Sequence, residues 1–446
     1  MNNINDKRKW FVHDRFGLFI HWGPSAEIGH GEQAMFRDHL DVMEYERKAC
    51  EWNPSFGDIK EWAAVAKDMG VKYACLTTRH HDGYCLWDSA YTDYSSAKQA
   101  PKRDFVREYV DAFRAQGIKI GLYYSWVDWR IPAFFEGPEK APEAFAEFRE
   151  YMHNQVIELL TNYGKIDYFF FDGAWPRSPE ELKSVELVEK MRKLQPGILI
   201  NNRLGQTPSD LTGSSKDGGL GAGESTTLGD FSTPEREITA DSNRIWESCQ
   251  TSTWRLWGYN RGEHWFSSAQ LLDMLCECAE KGGNLILNVG PDKEGRIPPE
   301  FHMRAAEIGD WLRVHGEAIY GTSKGNVTEF VTRGRQTVKE NNLYLIIRFW
   351  DGNPVLRLAD LVSDVKSVTL LTTGQQLDFE KKGDVLYIYG LPKVNPCRLF
   401  PVIRVECDGA PEANQWGRER LWHGDPQRIA DWAAEHGNDV YVAKYE

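Results

Sequence analysis

The first 320 residues alternate short β-rich apolar runs with amphipathic stretches of helical period. Strand-like runs fall at 15–23, 71–78, 119–126, 166–171, 198–202, 244–249 and 283–289, and 317–321 offers a last one. Helical patterns occupy 58–69, 104–116, 144–161, 180–194, 267–280 and 299–315. Gly117 is well placed to stop the second of these. The strand runs are apolar on both faces, as strands covered by helices should be. Repeated βα units of this kind predict an α/β fold of the (β/α)8-like, TIM-barrel type. An open doubly wound sheet is the alternative, but it gives no reason for polar residues to follow nearly every strand. A Gly/Ser/Thr-rich stretch, 205–233, reads as a long loop.

At 446 residues the chain is too long for one compact core. The pattern changes after about residue 325. Runs at 327–332, 343–349, 367–371, 385–389 and 402–407 are short and β-rich, with turn sequences such as DG and KKGD between them. The expected division is a catalytic barrel, 1–322, followed by a C-terminal antiparallel β-sandwich, 323–446. One short helix is expected around 429–436.

Charge and composition exclude several classes. The formal charge is −13, and no Lys/Arg run is interleaved with aromatics. Nucleic acid and anionic membranes are therefore not expected partners. No run reaches 18 apolar residues, the length that would suggest a membrane-spanning helix. The N-terminal segment lacks an apolar core and a small-residue cleavage site, so a cytoplasmic location is expected for the sequence as written. A periplasmic or secreted location would need a signal that this sequence does not carry. The eight cysteines (50, 75, 85, 249, 276, 278, 397 and 407) show no zinc-ribbon spacing and read as buried thiols.

In a β/α barrel the active site forms at the C-terminal ends of the strands. Following each apolar run leads to His21 and Trp22, then Arg79, His80, His81 and Asp82, then Tyr123, Tyr124, Ser125 and Trp126. Next come Asp172 and Trp175, then Asn201, Asn202 and Arg203, then Glu247, then Asn288. These residue types stack on sugar rings and hydrogen-bond to hydroxyls. Each also has a plainer reading. His21 could be a satisfied core histidine, Asp172 a helix N-cap and Arg203 the partner of a core carboxylate. Trp22, Trp87 and Trp126 could be rim packing. His21, His80, His81 and Asp82 could supply zinc ligands, but no HExxH sequence accompanies them. GxGxxG, GxxxxGK[ST] and GxSxG sequences are likewise absent where a strand would feed a helix. No cofactor and no metal are expected.

Several strings at this order and spacing are recognisable together. They are FGLFIHWG (16–23), KYACLTTRHHDGYCLWDS (72–89), APKRD (100–104), KIGLYYS (119–125) and YFFFDG (168–173). NNR (201–203), DFSTPE (230–235), WESC (246–249) and GGNLILNVGPDKEGRIP (282–298) follow. The chain resembles glycoside hydrolase family 29, the α-L-fucosidase family, from about residue 10 to 320. The resemblance implies an exo-acting retaining α-L-fucosidase that hydrolyses terminal α-L-fucosyl linkages by double displacement. It implies Asp172 as nucleophile. For the acid/base it implies Glu235, with Glu247 as runner-up and Glu224 as a third candidate. It implies His21, Glu32, His80, His81, Tyr124 (Tyr123 being the alternative) and Arg203 around the sugar, with Trp22 against its apolar edge. The partner implied is a terminal α-L-fucosylated oligosaccharide or glycoconjugate. Two positions depart from the family: Gln33 and Phe170 stand where Trp is frequent. Both touch the pocket wall, so an L-fucose-like sugar such as an α-L-galactoside is an alternative substrate. A non-catalytic sugar-binding protein and a metal-dependent barrel hydrolase are the remaining alternatives. The residues do not specify an oligomeric state.

Overall fold

Seven buried runs form a parallel sheet. The strands are β1 (Phe16–Ile20), β2 (Tyr73–Arg79), β3 (Lys119–Ser125), β4 (Tyr168–Asp172), β5 (Leu199–Ile200), β6 (Glu247–Thr251) and β7 (Asn284–Val289). Their order is β5-β4-β3-β2-β1-β7-β6, and every pairing is parallel. The structure is a computed structural model that describes residues 6–55, 57–206, 228–241, 243–325, 327–328, 330 and 333–413. The chain divides into two units, Met1–Gly321 and Thr322–Glu446.

The first unit is a curled parallel sheet with flanking helices, as the alternation predicts. Its two outer strands, β5 and β6, are joined through the segment 230–236. Asn201 bridges Phe231, Ser232 bridges Trp246 and Glu235 bridges Cys249, all in parallel. The backbone N–H groups of Asp230 and Glu247 complete the link, donating to Ile200 and Ser232. This segment takes the eighth position of the barrel. The sequence reading had placed the last strand at 317–321 and had left 230–233 inside a loop. The structure corrects both. Residues 316–318 form a 3-10 turn, and the N–H groups of Ile319 and Tyr320 turn back to the Gly316 carbonyl. No place exists there for a strand, because β7 already pairs with β1 on one side and β6 on the other.

Helices cover the outside of the sheet, and their ends follow local chemistry. Asp58 caps Ile59–Met69, and Gly70 closes it in the left-handed region. Asp104 caps Phe105–Ala115. Ser267 and Gln270 form a reciprocal capping box at the start of Ser268–Glu280. No helix among the described residues is long and apolar enough to cross a membrane.

The second unit contains two antiparallel sheets. One joins Ser323–Lys324, Gly334–Lys339, Asn342–Ile347, Val365–Leu370, Gln375–Gln376 and Val402–Cys407. The other joins Val355–Leu358, Asp378–Lys382 and Val385–Tyr389. Leu343, Leu345 and Ile403 of the first share an apolar core with Leu356, Leu358, Leu386 and Ile388 of the second. The described part of 327–332 is not a strand, and its place is taken by the more polar Gly334–Lys339. The helix expected at 429–436 lies outside the described residues.

Side chains alternate along each barrel strand, so residues two apart share the interior. On β4 the interior residues are Tyr168, Phe170 and Asp172. Tyr168 lies near the floor of the barrel, where Phe11 packs from the helix Asp6–Asp14. Glu247, the first residue of β6, is on this floor too. Its carboxyl accepts from the hydroxyls of Tyr73 and Tyr168. Among the described residues no cation pairs with it. Burial pushes its carboxyl up to about 8, against the pull of the two hydroxyls. Below the usual carboxylate range both folded and unfolded chains hold this proton, and it does not affect stability. Between that range and about pH 8 the unfolded chain releases the proton and the folded chain keeps it. Stability therefore declines as pH rises through this window. Glu247→Gln should flatten that decline, so that its thermal midpoint gains on the parent between pH 5 and pH 8. Thermal unfolding across that range checks this, and parallel curves for the two proteins would contradict it.

Candidate functional site

The C-terminal ends of the barrel strands open into a cavity of about 410 Å³. Asp172 stands in it at the end of β4, two residues above Phe170. Gly173 follows with φ +68, and a Cβ there would meet the His81 ring at 2.9 Å. Only glycine fits this turn and this contact. The Asp-Gly pair thus lets His81 lie beside the carboxylate, with Nε2 at 3.7 Å from Asp172 Oδ2.

One guanidinium organises the acids. Arg203 Nη1 donates to Asp172 Oδ1 at 2.8 Å, and its Nη2 lies 2.9 Å from Glu235 Oε2. Thr233 holds the same side chain, with Oγ1 at 3.0 Å from Nε and the carbonyl at 3.2 Å from Nη2. Phe170 lies under it, 5.1 Å from ring centre to guanidinium carbon. Tyr123 donates its hydroxyl to Asp172 Oδ2 at 3.0 Å. Burial alone would raise the Asp172 carboxyl. Arg203 overrides it, and the hydrogen bonds from Arg203 and Tyr123 assist, so the group sits below the usual carboxylate range.

Three histidines surround the carboxylates. His21 Nδ1 bonds to Asn288 Oδ1 at 2.7 Å, and Asn288 in turn donates to the Trp257 carbonyl at 2.6 Å. His81 Nδ1 bonds to Ser125 Oγ at 2.8 Å. That bond favours the tautomer with the proton on Nε2, because an Nε2 lone pair would face the Asp172 carboxylate. His80 stacks on Tyr123 at 5.5 Å, and its Nδ1 is buried without a hydrogen-bond partner among the described residues. Burial pushes the imidazoles of His21 and His81 down to about 3 and about 4, and His80 well below its ordinary value. All three are neutral at neutral pH. A neutral ring has one donor and one acceptor, and His21 and His81 use Nδ1 on Asn288 and Ser125, which leaves Nε2 for a hydroxyl.

The structure brings Asp172, Glu235, Arg203, His21, His80 and His81 together around this one cavity. It places four other candidates elsewhere. Tyr124 is fully buried and bonds to Gln155 Oε1 at 2.7 Å, while its neighbour Tyr123 lines the cavity. Alternation along β3 forces this choice, since Tyr123 pairs in register with Phe170. Trp22 packs against Trp52, Trp62 and Phe105 and donates to the Asp292 carbonyl. Glu32 turns away from the cavity and accepts from the backbone N–H groups of Trp257 and Gly258, at 2.9 and 2.8 Å. It pins the loop that carries Trp257 into the cavity. Glu247 sits at the floor. Its partner Tyr168 precedes Asp172 by four residues, a drop of about 13 Å at strand rise. Glu224 lies outside the described residues.

Several lining residues escaped the sequence reading. Phe36, Arg37, Trp129, Phe135, Arg236 and Trp257 come from loops and short helices rather than strand ends. Ser125 and Thr233 do not touch the cavity and act by holding His81 and Arg203. Among the described residues no three His, Cys, Asp or Glu side chains group closely enough to hold a metal ion.

Removing Arg203 should reveal its hold on Asp172. In Arg203→Gln, burial would dominate and raise the Asp172 carboxyl. Activity that needs this group ionised would then require a higher pH. The expected result is a loss of roughly 10²–10³ in kcat/KM, with the acidic limb of the pH profile moved upward. A loss without movement of that limb would mean Arg203 acts only on shape.

Sequence and structure comparisons agree with this geometry. The sequence model of the alpha-L-fucosidase family matches residues 1–317. The chain is similar to the tissue alpha-L-fucosidase of Bos taurus, 27% identical over 416 residues that cover 87% of this chain and 86% of the relative. It is also similar in structure to alpha-L-fucosidase isoenzyme 1 from Paenibacillus thiaminolyticus. That likeness has a TM-score of 0.81 and 36% identity, and covers 90% of this chain and 99% of the other. A family 29 alpha-L-fucosidase from Bacteroides thetaiotaomicron, solved as a trapped covalent intermediate with 2-fluoro-fucosyl fluoride, gives a TM-score of 0.80. It is 28% identical and covers 90% of this chain and 95% of its own. The family model spans the whole barrel with both cavity carboxylates, so the chain belongs to the α-L-fucosidase family, glycoside hydrolase family 29.

Proposed function

We infer that this protein is an exo-acting retaining α-L-fucosidase, a glycoside hydrolase that removes terminal α-L-fucosyl groups by double displacement. The observation that carries the reading is the Arg203 bridge between Asp172 and Glu235. Retaining enzymes hold two carboxyl groups about 5–5.5 Å apart. A single guanidinium spanning both groups keeps them close.

In the first step an Asp172 oxygen attacks the anomeric carbon as the bond from that carbon to the leaving oxygen breaks. Glu235, protonated on entry, gives its proton to the leaving oxygen. In the second step Glu235 takes a proton from water. The water oxygen bonds to the anomeric carbon, and the ester to Asp172 breaks. The order suits the electrostatics. Forming the ester removes the charge of Asp172, which leaves the Glu235 carboxylate as the single anion beside Arg203.

The transition state is oxocarbenium-like and positive. Protonated histidines around it would oppose that charge. The neutral forms of His21, His80 and His81 hold hydroxyls without this penalty. His80 Nδ1 gains a partner when a sugar hydroxyl arrives. Phe19, Phe170 and Trp257 supply an apolar wall for the methyl group of a 6-deoxy sugar. An α-L-galactoside would bring an extra hydroxyl against this wall. Such a wall rejects an added hydroxyl only moderately, by about 10²-fold at most. The acceptor half, an oligosaccharide or glycoconjugate, belongs to the same proposal.

Asp172→Gly should abolish cleavage of an aryl α-L-fucoside, and azide should restore turnover as a glycosyl azide. Glu235→Ala should also be rescued by azide on an activated aryl substrate. Glu247→Ala should show no such rescue. Near-normal activity in the Asp172 variant, or rescue at Glu247 in place of Glu235, would overturn the assignment. An aryl α-L-galactoside should be cleaved 10- to 100-fold more slowly than the fucoside, by roughly the discrimination one hydroxyl gives.

A further inference from the structure

The mouth of the cavity differs in charge from its chain. Arg37, Arg203 and Arg236 line it beside two carboxylates, Asp172 and Glu235. With the three histidines neutral, the cavity has a positive balance in a chain of formal charge −13. Arg203 is committed to the two acids. Arg37 pairs with neither, and Arg236 reaches only Glu235, at ion-pair distance. Arg37 donates from Nε to Gln33 Oε1 at 2.9 Å, and among the described residues it has no ion pair. Its two terminal nitrogens remain available at the rim. Arg236 stands 3.8 Å from Glu235 Oε1, beyond hydrogen-bond range. Its backbone takes φ +55, uncommon for a residue with a side chain, and its N–H is tied to the Cys249 carbonyl at 2.9 Å. This anchoring holds the Arg236 guanidinium against the cavity.

The same mouth exposes aromatic surface. Phe36 is 64% exposed and stacks on Trp129, with ring centres 5.6 Å apart and planes at 27°. Phe135, also lining the cavity, is 46% exposed. Exposed aromatic faces beside a sugar pocket offer a platform for a second ring. Gln33, standing where the family frequently has Trp, connects this platform to Arg37.

We propose that this mouth is the subsite for the leaving group, and that it selects an acidic sugar whose ring lies on Phe36 and Trp129 and whose carboxylate is held by Arg37 and Arg236. The proposal rests on the fucosidase reading and extends it to the class of substrate. A guanidinium matches a carboxylate in plane and in number of donors. A neutral leaving group would offer no carboxylate to either guanidinium, leaving Arg37 only the longer-range attraction of Glu32 and Arg236 only its 3.8 Å contact with Glu235. The interaction lies at a rim, so salt should weaken it.

The test uses matched aryl α-L-fucosides that carry either a carboxylate or a carboxamide at the same ring position, in the meta and para series. The two members of a pair differ by one charge, and the amide is no poorer a leaving group. In at least one series the carboxylate should be preferred about tenfold in kcat/KM at low ionic strength, the scale of one charge-assisted hydrogen bond. The preference should shrink in 1 M salt and disappear in Arg37→Gln. It should persist in part in Arg37→Lys. Each ratio is taken within one protein, so partial loss of folded enzyme cancels. Equal rates for acid and amide in both series, with 4-nitrophenyl α-L-fucoside cleaved normally, would overturn the proposal. Failure to cleave the nitrophenyl substrate would instead overturn the fucosidase reading.

Discussion

The contact on which the site depends is the bridge from Arg203 to two carboxylates. Asp172 is half-buried at the end of a strand made of aromatic residues, a poor place for a negative charge. Without a cation, burial would raise its carboxyl and oppose its ionisation. Arg203 reverses this and reaches Glu235 with its other terminal nitrogen. Thr233, Phe170 and the barrel register fix Arg203 in turn. The site therefore has a hierarchy. The strand places Asp172, Arg203 charges it, and the segment 230–236 brings the second acid to the same guanidinium.

The histidines complete this electrostatic design. A pocket for a sugar needs many hydrogen bonds, and a positive transition state needs few added positive charges. Buried neutral imidazoles satisfy both requirements. Beside the anomeric carbon the one strong cation, Arg203, lies between the two carboxyl groups. Free positive charge is left only at the mouth, away from the anomeric carbon.

Much of this was legible in the sequence, and the failures have physical causes. The βα alternation located all seven regular barrel strands, most of them because strands covered on both faces are apolar, although β6 is buried and largely polar. It missed the eighth position, since 230–236 holds three isolated bridges and a proline rather than a regular apolar run. Asp172, His21, His80, His81 and Arg203 follow apolar runs and were found that way. The resemblance points to Tyr124 with Tyr123 as alternative, and period alone does not say which face of β3 is interior. Register with Phe170 does. Glu247 looked catalytic because its strand was ended at 249. The strand runs to Thr251, which puts Glu247 at the N-terminal end, opposite the active face. In the second unit, Gly334–Lys339 and Asp378–Lys382 were overlooked because their charged, half-exposed side chains carry little strand signal. Glu32 and Trp22 were placed beside the cavity by their neighbours in sequence, yet their side chains turn to loop and core.

The central claim is that Asp172 forms a covalent bond to the sugar while Glu235 handles the proton. Trapping that bond tests it most directly. The enzyme would be incubated with 2-fluoro-fucosyl fluoride, digested, and its peptides mapped by mass spectrometry. The account predicts one fluorofucosyl group, attached to Asp172, which also accumulates in Glu235→Gln. A label on any other side chain, or stoichiometric turnover with no covalent adduct, would contradict it.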